Sequence, residues 1–220
     1  MTPKAVLLDA LGTLVALRRP WPLLVEQLAA RGVAVTEDEA RAALLAEIAH
    51  YRAHHQIAGD RAGLAELRAQ CTEVLRAALP EHAREVDDLE DALVASLRFD
   101  PYPEVPATLR ALRERGARLV VASNWDVSLH DVLRDTGLDA LVDGVVTSAE
   151  LGAAKPDPAL FHRALEVAGG VPAAEALHAG DDVAADIEGA LAAGITPVLV
   201  MRHGEAPPPG VRGVRSLDEL

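Results

Sequence analysis

Four times along this chain a short, mostly apolar run stops at a small group of polar residues, with helical patterns between the runs. Residues 5–8 end at Asp9, residues 118–122 at Ser123, and residues 176–179 at Gly180-Asp181-Asp182; residues 145–146 precede Lys155 by a few positions. Such runs, bounded by turn signals, suit strands buried on both faces. Residues 195–201 form a fifth run. Helical patterns over 103–115, 126–135, 158–168 and 183–193 stop at Gly116, Gly137, Gly169 and Gly194. Glycine is the residue expected just past a helix, because it takes the left-handed backbone there without strain. Strands alternating with helices predict an α/β fold built on a doubly wound parallel sheet.

Residues 15–98 break that rhythm and contain no convincing strand. Thr36, with Glu39 three positions on, forms a capping box for a helix running to about Ala58. Asp60 caps the next, whose stripe Leu64, Leu67, Cys71, Val74, Ala78 has helical spacing, and Pro80 ends it. Val86, Leu89, Leu93 and Leu97 make a further stripe. The expectation is an all-helical insertion over 15–98, placed directly after the first strand of a core made of 1–14 and 99–220. Phe99-Asp100-Pro101-Tyr102-Pro103 reads as the returning linker, and the tail with Pro207-Pro208-Pro209-Gly210 as a loop.

The bulk properties narrow the partners. Lys plus Arg is 21 against 34 Asp plus Glu, a formal charge of −13. That balance argues against nucleic acid and against an anionic membrane surface. No run approaches the ~20 apolar residues of a membrane helix. The start carries no cleavage signal, and the single cysteine, Cys71, cannot make an internal disulfide. The expected setting is cytoplasmic. Lysine occurs only at Lys4 and Lys155, and asparagine only at Asn124. Where so biased a chain does use Lys or Asn, the chemistry of that side chain gains weight as the reason.

In a doubly wound sheet, ligands bind beyond the carboxyl ends of the strands. Collected there are Asp9-Ala10-Leu11-Gly12-Thr13-Leu14, Ser123-Asn124-Trp125-Asp126, Lys155-Pro156-Asp157-Pro158, and Gly180-Asp181-Asp182 with Asp186 beyond. Carboxylates held close repel one another and call for a cation, and hard oxygen ligands suit Mg²⁺ together with a phosphate-bearing substrate. A carboxylate can also attack phosphorus. Ser123 can hold phosphoryl oxygens, and Lys155 can offset charge in the transition state. Asp157 reads as a helix N-cap, Asn124 as either a substrate contact or a turn stabiliser, and Trp125 as either a stacking residue or a plug.

These four motifs, in this order and spacing, resemble the haloacid dehalogenase (HAD)-like hydrolase superfamily, in its subgroup with a helical cap inserted after the first motif. The resemblance covers nearly the whole chain and implies a Rossmann-like core. It implies Asp9 as nucleophile and Mg²⁺ ligand, Leu11 as a ligand through its backbone carbonyl, Asp181 as the metal carboxylate and Asp186 as its supporting acid. It implies Thr13 and Ser123 as substrate-binding hydroxyls, with Asn124 beside them, and Lys155 as the catalytic lysine. A small phosphorylated molecule is the implied substrate, and no protein partner is indicated.

One position departs from the pattern. Most phosphatases of this superfamily carry a second Asp two residues after the nucleophile, as general acid and base, and here that position is Leu11. Such help is typically worth ~10²–10⁴ in rate. Dehalogenases of the superfamily also lack this Asp and need no metal, but their fourth motif is not an acidic cluster like Asp181, Asp182 and Asp186. Phosphonate-cleaving members use a cap lysine, and neither lysine lies within 15–98. The reading is a Mg²⁺-dependent phosphatase with an unusual or absent acid. The alternatives are a metal-independent 2-haloacid dehalogenase-like enzyme and a catalytically weak member that binds a phosphorylated ligand or a protein. Two histidines of the insertion, His54 and His55, are candidate replacement acids.

Overall fold

The computed structural model describes residues 3–202, 204 and 206–220. In chain order come β1 (Ala5–Leu8), β2 (Val15–Leu17), α1 (Pro20–Ala30), α2 (Glu37–His54), α3 (Arg61–Ala78), α4 (Leu89–Ser96) and β3 (Phe99–Pro101). Then follow α5 (Val105–Glu114), β4 (Arg118–Ser123), α6 (Leu129–Asp135), β5 (Gly144–Thr147), α7 (Ser148–Leu151), α8 (Pro158–Val167), β6 (Ala176–Gly180), α9 (Gly189–Ala192), β7 (Thr196–Val200) and β8 (Arg212–Val214). The chain divides into two compact units, one of residues 1–16 and 100–220 and one of residues 17–99.

The first unit is an α/β domain on a six-stranded sheet of order β5-β4-β1-β6-β7-β8. Every neighbouring pair in it is parallel. The chain therefore starts in the middle and winds outward both ways, which sets a crevice at the carboxyl end of β1 between β4 and β6. Ala5 to Leu8 are all buried, as expected of a central strand covered on both faces. On one face α8 supplies Leu160, Phe161, Ala164 and Leu165 to a cluster with Leu7, Val120, Ala122 and Val146. The side chains here are apolar and close-fitting, so the strand ends beside them are held rigidly.

The second unit is all-helical. Thr36 and Glu39 close the expected capping box, with the Thr36 hydroxyl accepting from the Glu39 N–H at 3.2 Å and a Glu39 carboxylate oxygen accepting from the Thr36 N–H at 2.8 Å. Asp60 caps α3 by accepting from the Gly63 N–H at 2.8 Å. Leu24 and Leu28, Leu44, Leu64, Leu67 and Leu75, and Leu89 and Leu93 are buried, one or more from each of the four helices. Glu47 is the one charged side chain buried with them among the described residues.

Three elements differ from the sequence expectation. The linker around Phe99 is a strand: β2 and β3 pair as a two-stranded ribbon where the chain leaves and re-enters the core. The tail contributes β8, an edge strand on β7. Arg212-Gly213-Val214 has too few residues to show alternation, so only pairing makes it a strand. The helix expected over 183–193 opens instead as a π-turn, Val183–Glu188, before α9. The Asp182 carbonyl accepts from both the Asp186 and Ile187 N–H groups, at 2.9 and 3.3 Å, and this widens the turn. Such turns are frequent at functional sites.

Candidate active site

Asp9 follows β1, Ser123 ends β4, and Asp181 follows β6, so the topology delivers all three to the crevice. Asp9 is 7 % exposed, and one of its oxygens, Oδ1, accepts from the Ser123 hydroxyl at 3.1 Å and from Lys155 Nζ at 2.6 Å. The same ammonium group reaches Asp186 Oδ1 at 2.6 Å. Lys155 thus bridges two buried carboxylates. Burial opposes its charge, but Asp186 and Asp9 more than offset that, and its pKa is raised. It stays protonated throughout the range in which proteins work.

Lys155 is placed by Asn124. The Asn124 amide donates to the Lys155 carbonyl at 2.9 Å, and its oxygen accepts from the Lys155 N–H at 2.7 Å. Of the two expectations for Asn124, the structure spends its amide on ordering this loop. Asp157 caps α8 by accepting from the Ala159 N–H at 2.9 Å. Trp125 is buried, and its indole N–H donates to the Ser128 hydroxyl at 3.3 Å. Asp126 is buried and accepts from the Ser128 N–H, at the start of α6.

Asp186 is saturated. Its Oδ1 also meets His178 Nε2 at 2.8 Å, and its Oδ2 accepts from the Asp182 N–H at 3.1 Å. Burial works against its charge, yet Lys155 and His178 outweigh burial and hold Asp186 well below the usual carboxylate range. Gly180 makes this fit possible, because a Cβ there would lie 2.1 Å from the Asp186 carboxyl carbon. His178 is fully buried and stands edge-on to Phe161, with ring centroids 5.0 Å apart. Sequence reasoning passed over His178. Its signal was a single imidazole in the otherwise apolar strand Ala-Leu-His-Ala-Gly.

Asp181 is the exposed acid of the set. One carboxylate oxygen each from Asp9, Asp181 and Asp186 lies within 4.8 Å of the other two. Gly12, at φ +83, lets the turn after Asp9 approach Asp181, since a Cβ there would stand 2.2 Å from Asp181 Oδ2. Lost hydration, then repulsion by Asp9 and Asp186, pushes the Asp181 carboxyl up to about 7. Asp9 is also raised, by burial first, with Lys155 pulling the other way. Three carboxylates face one lysine here, and the surplus of negative charge fits a divalent cation held by hard oxygen ligands. Asp9 and Asp181 have the oxygens to hold it, while those of Asp186 are engaged by Lys155, His178 and Asp182.

Thr13 is fully buried, and its hydroxyl has no hydrogen-bond partner among the described residues. Leu11 is 41 % exposed. His54 and His55 lie in the helical unit. His54 Nδ1 pairs with the His50 carbonyl at 2.8 Å and its ring stacks on His50, whereas His55 Nδ1 pairs with the Arg52 carbonyl at 3.2 Å. No helix among the described residues is long and apolar enough to cross a membrane.

A doubly wound parallel sheet here gathers an aspartate, a serine, a lysine and an acidic cluster at its strand ends. The chain belongs to the haloacid dehalogenase-like hydrolase family, whose model matches residues 3–194. It is 47 % identical to the haloacid dehalogenase-like hydrolase domain-containing protein 3 of Bos taurus over 94 residues, which is 43 % of this chain and 37 % of that protein. It is 40 % identical to a phosphoserine phosphatase of Thermus thermophilus over 125 residues, 56 % of this chain and 49 % of that one. The chain thus aligns with half or less of the length of these relatives. Its fold matches a defluorinating L-2-haloacid dehalogenase at a TM-score of 0.75 and 22 % identity, covering 99 % of this chain and 93 % of that one. Relatives carry both phosphatase and dehalogenase names.

Proposed function

We propose that this HAD-like hydrolase is a Mg²⁺-dependent phosphatase acting on small phosphorylated molecules through an aspartyl phosphate on Asp9. The observation that carries the reading is the acidic cluster of Asp9, Asp181 and Asp186 around a single buried lysine. A carboxylate that attacks carbon needs no such surplus of negative charge. Mg²⁺ held by Asp9, Asp181 and the Leu11 carbonyl would offset charge on the phosphoryl oxygens.

Asp9 Oδ1 is held in place by Ser123 and Lys155 and would be the oxygen shared with the cation, so Oδ2 is the attacking atom. Oδ2 bonds to phosphorus, the bond from phosphorus to the substrate oxygen breaks, and that oxygen leaves with the electron pair. Lys155 holds Asp9 in place and keeps a fixed positive charge beside the transferring group, worth most where water is excluded. Ser123 supplies a hydroxyl to the phosphoryl oxygens, Thr13, whose hydroxyl is buried, supports the turn after Asp9, and Asn124 serves by fixing Lys155. Water then cleaves the aspartyl phosphate.

Leu11 cannot give the leaving oxygen a proton or activate that water. Good leaving groups should therefore react fastest in the first step, and the second step should be slow. His54 or His55 from the helical unit is the candidate donor for poorer leaving groups, and His54→Ala should then lower turnover at least about tenfold without changing Mg²⁺ binding. The deciding experiment is rapid-mix release of p-nitrophenol from p-nitrophenyl phosphate. A burst of about one equivalent per site is expected in Mg²⁺. It should vanish in EDTA and in Asp9→Asn. No release in Mg²⁺ overturns the phosphatase reading.

A further inference from the structure

Arg202 follows β7 by two residues, far in sequence from the first motif, yet its side chain is only 9 % exposed. Its Nε donates to the Gly12 carbonyl at 3.0 Å and its Nη2 to the Thr13 carbonyl at 2.6 Å. Its guanidinium carbon lies 3.4 Å from the centre of the Tyr102 ring, and Nη2 is 2.9 Å from a Glu104 carboxylate oxygen. All five residues belong to the α/β unit.

The carbonyls it grips belong to the turn that follows Asp9. That turn is also closed by the N–H groups of Thr13, Leu14 and Val15, all donating to the Ala10 carbonyl, at 3.3, 2.8 and 2.9 Å, and by the Gly12 N–H donating to the Val15 carbonyl at 2.9 Å. Those bonds hold the N–H side of the Gly12–Thr13 and Thr13–Leu14 peptides, and Arg202 holds the carbonyl side of the same two planes. Gly12 is also where the turn touches Asp181. A tilt of the Gly12 peptide therefore changes the gap between the Asp9 turn and Asp181. Two neighbouring carbonyls call for a two-pronged donor, and a flat one suits the Tyr102 face. A guanidinium meets both demands with one rigid plane, which the rotating, non-planar ammonium cannot do. The Tyr102 N–H in turn donates to the Leu14 carbonyl at 3.1 Å, so the residue stacked on Arg202 holds the far end of the same turn.

We infer that Arg202 is a positioning residue for the hydrolase reaction: it sets the peptide planes of Gly12 and Thr13, and through them the placing of Asp9 against Asp181. The inference rests on the reading of Asp9 as the nucleophile. Arg202 reaches the chemistry only through the turn and touches none of the reacting groups.

The test uses the full chain as wild type, Arg202→Ala and Arg202→Lys. Its arms are p-nitrophenyl phosphate kinetics in Mg²⁺, backbone hydrogen exchange and thermal melting. Misplacing a reacting group by about 1 Å can cost ~10² in rate. Arg202→Ala should lower kcat by about tenfold to a hundredfold with KM within about twofold. Exchange should quicken at the amides of residues 11–15 and stay unchanged in β4 and β6. Arg202→Lys should recover only a minor part of the rate, and millimolar guanidinium should rescue Arg202→Ala but not Arg202→Lys. Unchanged exchange at 11–15 overturns the inference, as does faster exchange spread over the whole sheet with a matching fall in Tm. Absence of Asp9-dependent release in wild type sinks the phosphatase reading instead, and the exchange pattern then decides Arg202 alone.

Discussion

Each unit of this molecule buries a carboxylate, and the two have opposite fates. In the α/β unit Asp186 is almost wholly covered, but Lys155, His178 and the Asp182 N–H surround it and its pKa falls. In the helical unit Glu47 is 3 % exposed, and a hydrogen bond with the Cys71 thiol lowers its pKa by less than burial raises it. Lost hydration wins there and the Glu47 pKa rises. Burial is common to both, so the difference lies in the partners. A buried charge is retained where cations and donors converge on it and strains toward neutrality where they do not. The α/β unit keeps the charge of Asp186 alone in this way; Asp9 and Asp181, which lose hydration and repel each other and Asp186, shift toward the neutral acid as Glu47 does.

That contrast can be broken in several ways. The largest effect should come from Lys155→Met, which strands Asp9 and Asp186 without their cation. Losing one partner of a buried pair costs roughly 3–5 kcal/mol. Urea unfolding should show that loss, and p-nitrophenol release should fall by at least about 10³. If Lys155→Met unfolds at the same urea concentration as wild type, the account of the α/β unit is wrong.

Next in size is the cation itself. Mg²⁺ at about a hundred times its dissociation constant should stabilise the fold by about 2.7 kcal/mol. A calorimetric scan should show Tm rising with Mg²⁺ and falling back in EDTA, and Asp181→Asn should remove most of the rise. A Tm indifferent to Mg²⁺ would mean that the surplus negative charge is tolerated rather than used.

The Glu47 effect should be smaller and opposite in sign. Its folded pKa lies above the unfolded value, so the fold prefers the uncharged acid. The stability gained from that preference is full below the unfolded pKa, near 4.5, and is lost as pH rises through the folded pKa. At neutral pH the ionised Glu47 therefore costs stability, and Glu47→Gln should raise it. The gap between variant and wild type should close as pH falls toward 4.5 in chemical denaturation curves. A gap that widens on acidification would reverse the assignment. Smallest of all, Thr36→Ala removes an exposed cap of α2 and should cost about 1 kcal/mol or less, with p-nitrophenol release unaffected.

Much of this was legible in the chain. Asp9, Ser123 and Gly180-Asp181 could be read because a buried strand shows as an apolar run, and its carboxyl end is where a polar residue becomes conspicuous. Lys155 stood out by rarity. The caps at Thr36, Asp60 and Asp157 were legible because capping is local, decided by residues two or three apart. The β2–β3 ribbon and β8 were not, since a three-residue strand exists only through its partner.

The tertiary structure alone decided the partnerships. Asn124 and Lys155 are 31 residues apart, and whether the amide faces substrate or backbone depends on how two loops meet. His178 is one polar side chain in an apolar strand until the π-turn brings Asp186 back beneath it. Arg202 lies 190 residues from Gly12, and no spacing rule links them. Sequence by itself determines what depends on near neighbours: strands, caps and the types of group at strand ends. Which of those groups pair, and which pKa values shift as a result, depends on distances of a few ångströms between segments far apart in the chain, and only folding creates those distances.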